Sequence, residues 1–181
     1  LVTLVGPTAS CRALVPSTSN GGSSLGLSWT LLPNPANINN WFNGLMGVGY
    51  ERSGANTYDP LINIDVEFQM YNINQTCYIR IPFNVADPSA FDSLELRMQW
   101  DDGFVAFING TVVQADNAPG TVTWNSAAFN ANHEANAGSF DIYNITQQLG
   151  ALKTGQNILA IHGLNRGTGS SDMIIRPELY G

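Results

Sequence analysis

Along most of the chain, apolar and polar residues alternate one for one, the period of a half-buried β-strand whose successive side chains point to opposite faces. Over residues 62–70 the apolar set is Ile62, Ile64, Val66, Phe68 and Met70, interleaved with Asn63, Asp65, Glu67 and Gln69, which predicts a strand. The segment YIRIPFNV (78–85) places Ile79, Ile81, Phe83 and Val85 on one face. Pro82 within it marks an edge or a bulge, because proline cannot donate to a central ladder. LELRMQW (94–100) puts Leu94, Leu96, Met98 and Trp100 inward, a row that favours core. FVAFI and TVV flank Asn109-Gly110, the strongest short hairpin signal in the chain. Three further strands are expected in SFDIYNI, NILAIHGLN and DMIIRPELY.

Helical signals are sparse. DPSAF predicts one turn with Asp87 as N-cap and Pro88 at the first helical position, and TQQLGALK predicts about two turns. The first fifty residues read as polar, turn-rich loops around LGLSWT, and Trp29, Trp41, Phe42 and Tyr50 among them need a core or a ligand to bury them. Short strands separated by polar turns, without alternating helices, predict an all-β fold, an antiparallel β-sandwich. At 181 residues the expectation is a single domain over 1–181, since about 100–200 residues per domain is usual.

Charge narrows the partners. Seven Lys and Arg against fourteen Asp and Glu give a formal charge of −7, and the basic residues are scattered from Arg12 to Arg176. No basic patch is available to neutralise a phosphate backbone, so nucleic acid is not an expected partner. No apolar run reaches the roughly 20 residues that span a bilayer, so no membrane partner is expected. The chain reads as a soluble module cut from something longer. Cys11 and Cys77 are too few for a disulfide framework, and they are read either as one disulfide or as two buried thiols. Asn74, Asn109 and Asn144 each begin an Asn-x-Thr sequon.

The stretch WDDGFVAFING poses the sharpest local question. Asp101 and Asp102 build a tight corner with Gly103 at positive φ, or they supply hard oxygen ligands to a calcium ion. Nothing here has EF-hand spacing.

YIRIPFNVADPSAF followed by LELRMQWDDGFVAFING resembles the jelly-roll domains of the galactose-binding-domain-like superfamily, in which a strand with Asp-Gly precedes one ending in Asn-Gly. WNSAA (124–128), His133, NILAIHGLN, SSD (170–172) and PEL (177–179) are similar to a subgroup in large secreted bacterial proteins, beside lamin-tail, CotH-like kinase or carbohydrate-active domains. The resemblance covers about residues 41–179. It implies a jelly-roll sandwich and a non-catalytic sugar-binding module, often with one structural calcium, for which Asp101 and Asp102 are the candidate ligands here.

Sugar recognition needs flat rings for the C–H faces of a pyranose and amides or carboxylates for its hydroxyls. The densest set is Trp124, Asn125 and His133, joined by His162, Asn165 and Asp172. His162 aligns with Ile158, Ala160 and Leu164, so a core histidine is weighed against a ligand. Trp124 is balanced between packing and stacking. A zinc site of His133, His162 and Asp172 lacks any short ligand spacing, and no GxSxG motif or other catalytic arrangement stands out, so no enzymatic activity is expected. The expected function is binding of a polysaccharide or other glycan; the alternative is a structural or docking module that packs against neighbouring domains of the same chain.

Overall fold

The computed structural model describes residues 1–52, 54, 58–130 and 136–181. Two six-stranded sheets face each other. The first contains β1 (Thr3–Val5), β4 (Val48–Glu51), β5 (Ile64–Asp65), β7 (Glu95–Asp101), β10 (Asp141–Asn144) and β12 (Asp172–Tyr180). They run in the order β10-β7-β12-β4-β5, and β1 also pairs with β12. The second contains β2 (Ser10–Leu14), β3 (Phe42–Leu45), β6 (Thr76–Val85), β8 (Gly103–Ile108), β9 (Thr111–Asp116) and β11 (Gly155–Leu164), in the order β3-β2-β6-β11-β8-β9. Pairing is antiparallel throughout except between β4 and β5. The expected β-sandwich is the observed fold.

The main core lies between the sheets. Val48, Tyr50, Leu96, Met98, Trp100, Met173 and Ile175 of the first sheet meet Ala13, Ile79, Ile81, Phe104, Ala106, Leu159 and Ile161 of the second. Trp100 closes its row as the alternation requires. Its ring meets Phe104 edge-on at 5.4 Å, and its Nε1 donates to Asp141 Oδ2 at 2.9 Å. Asn109 and Gly110 both adopt positive φ at the β8–β9 turn, as the hairpin reading requires. Asp87 caps a 3₁₀ turn over Pro88–Ala90 by accepting from the Ser89 amide at 2.9 Å. Pro82 lies beyond the stretch where β2 pairs with β6, so β6 has its ladder neighbour on the β11 side alone at that point.

Two expectations are corrected. Residues 62–70 do not form one strand: after β5, a single-turn helix α1 (Glu67–Met70) begins where Asp65 Oδ1 accepts from the Glu67 amide at 2.8 Å. Val66 and Met70, four apart, share its buried side, while Phe68 stands 91% exposed. The first fifty residues also hold four strands as well as loops. Cys11 and Cys77 are buried free thiols. The β2–β6 register, continued by one residue, sets Cys11 opposite Ile81. Cys77 is four residues away along β6, roughly 13 Å at 3.3 Å per residue, well past disulfide reach.

Asp101-Asp102-Gly103 is the corner where the chain leaves one sheet for the other. β7 ends at Asp101 in the first sheet, and β8 begins at Gly103 in the second. Three bonds hold the crossing: the Asp102 amide donates to Leu164 O (3.1 Å), Asn117 Nδ2 donates to Asp102 O (2.7 Å), and the Arg166 amide donates to Asp102 Oδ2 (2.9 Å). Gly103 is not among the residues at positive φ, contrary to the expected turn geometry. Glycine is needed for proximity instead: a Cβ there would lie 2.8 Å from Asn117 O and 3.2 Å from both Ala128 Cβ and Asp116 O.

Asp101 and Asp102 are both buried. Desolvation first, then the charges of Asp102 and Asp172, raise the Asp101 carboxyl to about 9, so it holds its proton at neutral pH. Tyr58 donates to its Oδ2 at 3.2 Å.

Two outcomes are expected. Gly103→Ala should lower stability by about 1–3 kcal/mol through overpacking, read from urea unfolding, and a variant as stable as the parent would overturn this account of the corner. Asp101 has a folded pKa above its unfolded value, so its contribution is complete at acid pH and is lost as pH rises towards about 9. Asp101→Asn should therefore flatten the fall of the urea midpoint between pH 5 and 9; parallel profiles for the two proteins would contradict the burial argument.

Candidate functional site

The second sheet is apolar on both faces along β6, β8 and β11. Ile158 and Ala160 alternate with the core residues Leu159 and Ile161, and with Leu14, Tyr78, Val105 and Phe107 they form an outer apolar surface. Water cannot be left there, and the chain covers it with the segment spanning residues 22–41. Trp29 stacks on Tyr78, with ring centroids 4.2 Å apart and planes at 12°, and Trp41 packs 6.3 Å from Trp29. Arg80, on the same face, fixes this cover from below. Its guanidinium donates to the carbonyls of Trp29 and Leu31 and to Asn34 Oδ1.

A second loop meets the edge of this cover. Thr123 and Ser126 close a tight turn, the Thr123 amide donating to Ser126 Oγ at 2.8 Å. Residues preceding and opening β6 hold that turn in place. Asn74 Nδ2 donates to Trp124 O (3.1 Å), Gln75 Nε2 to Asn125 O, and Thr76 Oγ1 to Ser126 O (2.8 Å). The Trp124 backbone is thus fixed while its ring is half-buried against the second core and Asn125 is exposed. Between the two loops lies a pocket of about 200 Å³ lined by Ser23, Gly26, Tyr78, Val122, Thr123 and Trp124. Val122 also borders a neighbouring pocket of about 310 Å³, lined mostly by apolar residues including Leu27, Phe107, Val112 and Pro119.

The remaining candidate residues gather at the same end of the sandwich but inside it. His162 is buried in the second core, edge-on to Tyr78 at 5.0 Å, with Nε2 3.3 Å from Thr76 Oγ1. Desolvation pulls its pKa down to about 3, so the ring is neutral. Its hydrogen-bond neighbour is thus a hydroxyl. Asn165 is also buried: its Nδ2 donates to Tyr50 Oη (2.9 Å), which donates in turn to Ser170 O (2.8 Å), tying the ends of β4, β11 and β12 together. Asp172, buried on β12 opposite Glu51, belongs to the acid corner, and its charge is felt by Asp101. His133 lies outside the described residues.

The calcium expected at Asp101 and Asp102 does not fit the described residues. Calcium takes six to eight oxygen ligands. Asp101 Oδ1 and Asn165 Oδ1 are buried without a hydrogen-bond partner. However, Asp102 Oδ2 is occupied by the Arg166 amide, and no group of three or more His, Cys, Asp or Glu among the described residues is disposed to hold a metal.

Of the candidate set, Trp124 and Asn125 therefore reach solvent, whereas His162, Asn165 and Asp172 are buried and none of the three lines the pocket. Ser23, Gly26 and Val122 complete the pocket and carry no sequence signal of their own. They sit in polar loops whose proximity follows only from the cover over the second sheet.

No family model matches this chain, and no curated protein matches it. Among solved structures it is similar to the β-glucuronidase of Bifidobacterium dentium complexed with coumarin-3-O-glucuronide, at 12% identity and a TM-score of 0.50, over 90% of this chain and 20% of that one. It is also similar to an uncultured Clostridium sp. β-glucuronidase, at 12% identity and a TM-score of 0.48, over 87% and 21%. A third is the Ruminococcus gnavus β-glucuronidase, at 13% identity and a TM-score of 0.46, over 90% and 21%. The chain spans about a fifth of the length of these enzymes, and the first likeness shows the β-sandwich fold.

Proposed function

We propose that this chain is a non-catalytic carbohydrate-binding module, galactose-binding-domain-like, of a secreted bacterial multidomain protein of the lamin-tail, CotH-like or carbohydrate-active type. The observation that carries the reading is the setting of Trp124: an indole on a backbone fixed by neighbouring side chains, lining an open pocket beside the hydroxyls of Ser23 and Thr123. Such a wall offers a flat apolar face to the C–H surface of a pyranose, and the rim, with exposed Asn125 beside it, offers donors and acceptors to its hydroxyls. Rigid placement matters, because a platform already held in position loses little freedom when a sugar packs on it. The sugar assignment rests on this pocket and not on the likeness to glucuronidases.

A second reading is a docking module against a neighbouring domain of the same protein. It is favoured by the adjoining apolar pocket, where Leu27 and Val112 are about half exposed beside Pro119.

The two readings part at Trp124. Trp124→Ala should weaken binding to whichever member of a xylo-, cello- and galacto-oligosaccharide panel the parent protein binds by at least severalfold, with Trp124→Phe recovering part of it. Its stability loss should be roughly 1–2 kcal/mol, below the roughly 3–5 kcal/mol expected when a fully buried tryptophan such as Trp29 is cut to alanine. Calorimetric titration and melting on the same protein samples decide the matter; a folded Trp124→Ala variant with undiminished sugar binding, or a parent that binds no member of the panel, would remove the glycan reading.

A further inference from the structure

The outer face of the second sheet carries a pairing that packing does not explain. Arg12 of β2 and Arg80 of β6 are direct cross-strand partners. Both point outward, because Cys11, Ala13, Ile79 and Ile81 on either side of them enter the main core. Directly opposed side chains on antiparallel strands have Cβ atoms about 4.5–5.5 Å apart, and like charges placed so destabilise the pair. Only seven Lys and Arg serve a chain with fourteen acids, yet two of the seven are set against each other. The two ion pairs found among the described residues, Arg52 with Glu67 and Arg97 with Glu95, involve neither.

The two arginines differ in setting. Arg80 is 2% exposed and gives three hydrogen bonds to the cover, which leaves two of its five N–H donors. Burial lowers its pKa to about 10, so it remains cationic at neutral pH. Arg12 is half-buried, and its side chain has no bond or ion pair to the described residues. Together they line a pocket of about 200 Å³ with the apolar Ile38, Pro82 and Ile158 and the amide residues Asn34, Asn39 and Gln156. Arg80 occupies Asn34 Oδ1, and the Asn34 amide nitrogen is left to donate. The volume lies below the range of drug-sized ligand sites, which suits a single small ring.

We infer that this pocket binds an acidic sugar, its carboxylate received between Arg12 and Arg80 and its hydroxyls met by Asn34, Asn39 and Gln156. An anion there turns the repulsion between two opposed guanidinium groups into paired, charge-assisted hydrogen bonds, for which arginine's planar fork is suited. The site shares no lining residue with the Trp124 pocket, so it stands or falls separately from the reading above.

The test is calorimetric titration of the whole chain at low salt with galacturonate, with galactose as the neutral control and inorganic sulfate as a bare oxyanion. Galacturonate should bind about tenfold or more tighter than either, and the preference should shrink as sodium chloride is added. Arg12→Gln should abolish that preference while the ligand-free protein melts at the same or a higher temperature, since the substitution removes like-charge repulsion. Trp124→Ala should leave galacturonate binding unchanged. Galacturonate binding no tighter than galactose, sulfate binding as tightly as galacturonate, or full galacturonate affinity in Arg12→Gln would each overturn the inference.

Discussion

The contact on which the accessible surface of this protein depends is the stack of Trp29 on Tyr78. A sandwich usually leaves the outer face of each sheet polar and wet. Here the second sheet is apolar outside as well as inside, with Val105, Phe107, Ile158 and Ala160 pointing away from the main core. That face requires a cover, and the long polar segment preceding β3 supplies it through Trp29 and Trp41. Arg80 makes the cover stay, because its donors satisfy backbone carbonyls that the irregular segment would otherwise bury unpaired. Both proposed binding pockets are consequences of this arrangement. They open where the cover ends, one against the 123–126 turn and the other over the Arg12–Arg80 pair.

The acid corner obeys a different logic. Asp101 and Asp102 sit at the crossing between sheets, where backbone and side-chain donors from residues 117, 164 and 166 converge. Three aspartates in one buried region cannot all be ionised at low cost, and a proton retained on Asp101 relieves the strain of like charge. The corner is thus an element of the fold's construction, and its polar network, through Asn165 and Tyr50, sets the end of the sandwich beneath the Trp124 loop.

The alternation of residues 78–85 and 94–100, the Asn109-Gly110 turn and the Asp87 cap carry their geometry locally, and all are legible in the sequence. Residues 62–70 mislead because Val66 and Met70, four apart, share one face in a strand and in a helix alike; the Asp65 side chain captures the Glu67 amide where the helix begins. The strands among the first fifty residues are short and gain their order from partners far along the chain, such as β12 for β4, so local pattern does not reveal them. The candidate site was legible in part. Trp124 lines an open pocket with exposed Asn125 next to it in the chain, but alternation could not separate the buried His162 from a ligand. Nor could it show that Arg12 and Arg80, 68 positions apart, are neighbours.

The central claim is that ligands are received at the edge of the cover over the second sheet rather than at the acid corner. An amide chemical-shift titration of isotopically labelled protein, with the tightest-binding neutral oligosaccharide of the panel, tests it most directly. The account predicts shifts concentrated at residues 23–26 and 121–125 and at the Trp124 indole, with residues 101–103 and 170–172 unmoved. Saturable shifts centred on Asp101, Asp102 and Asp172, with the Trp124 indole unmoved, would contradict it.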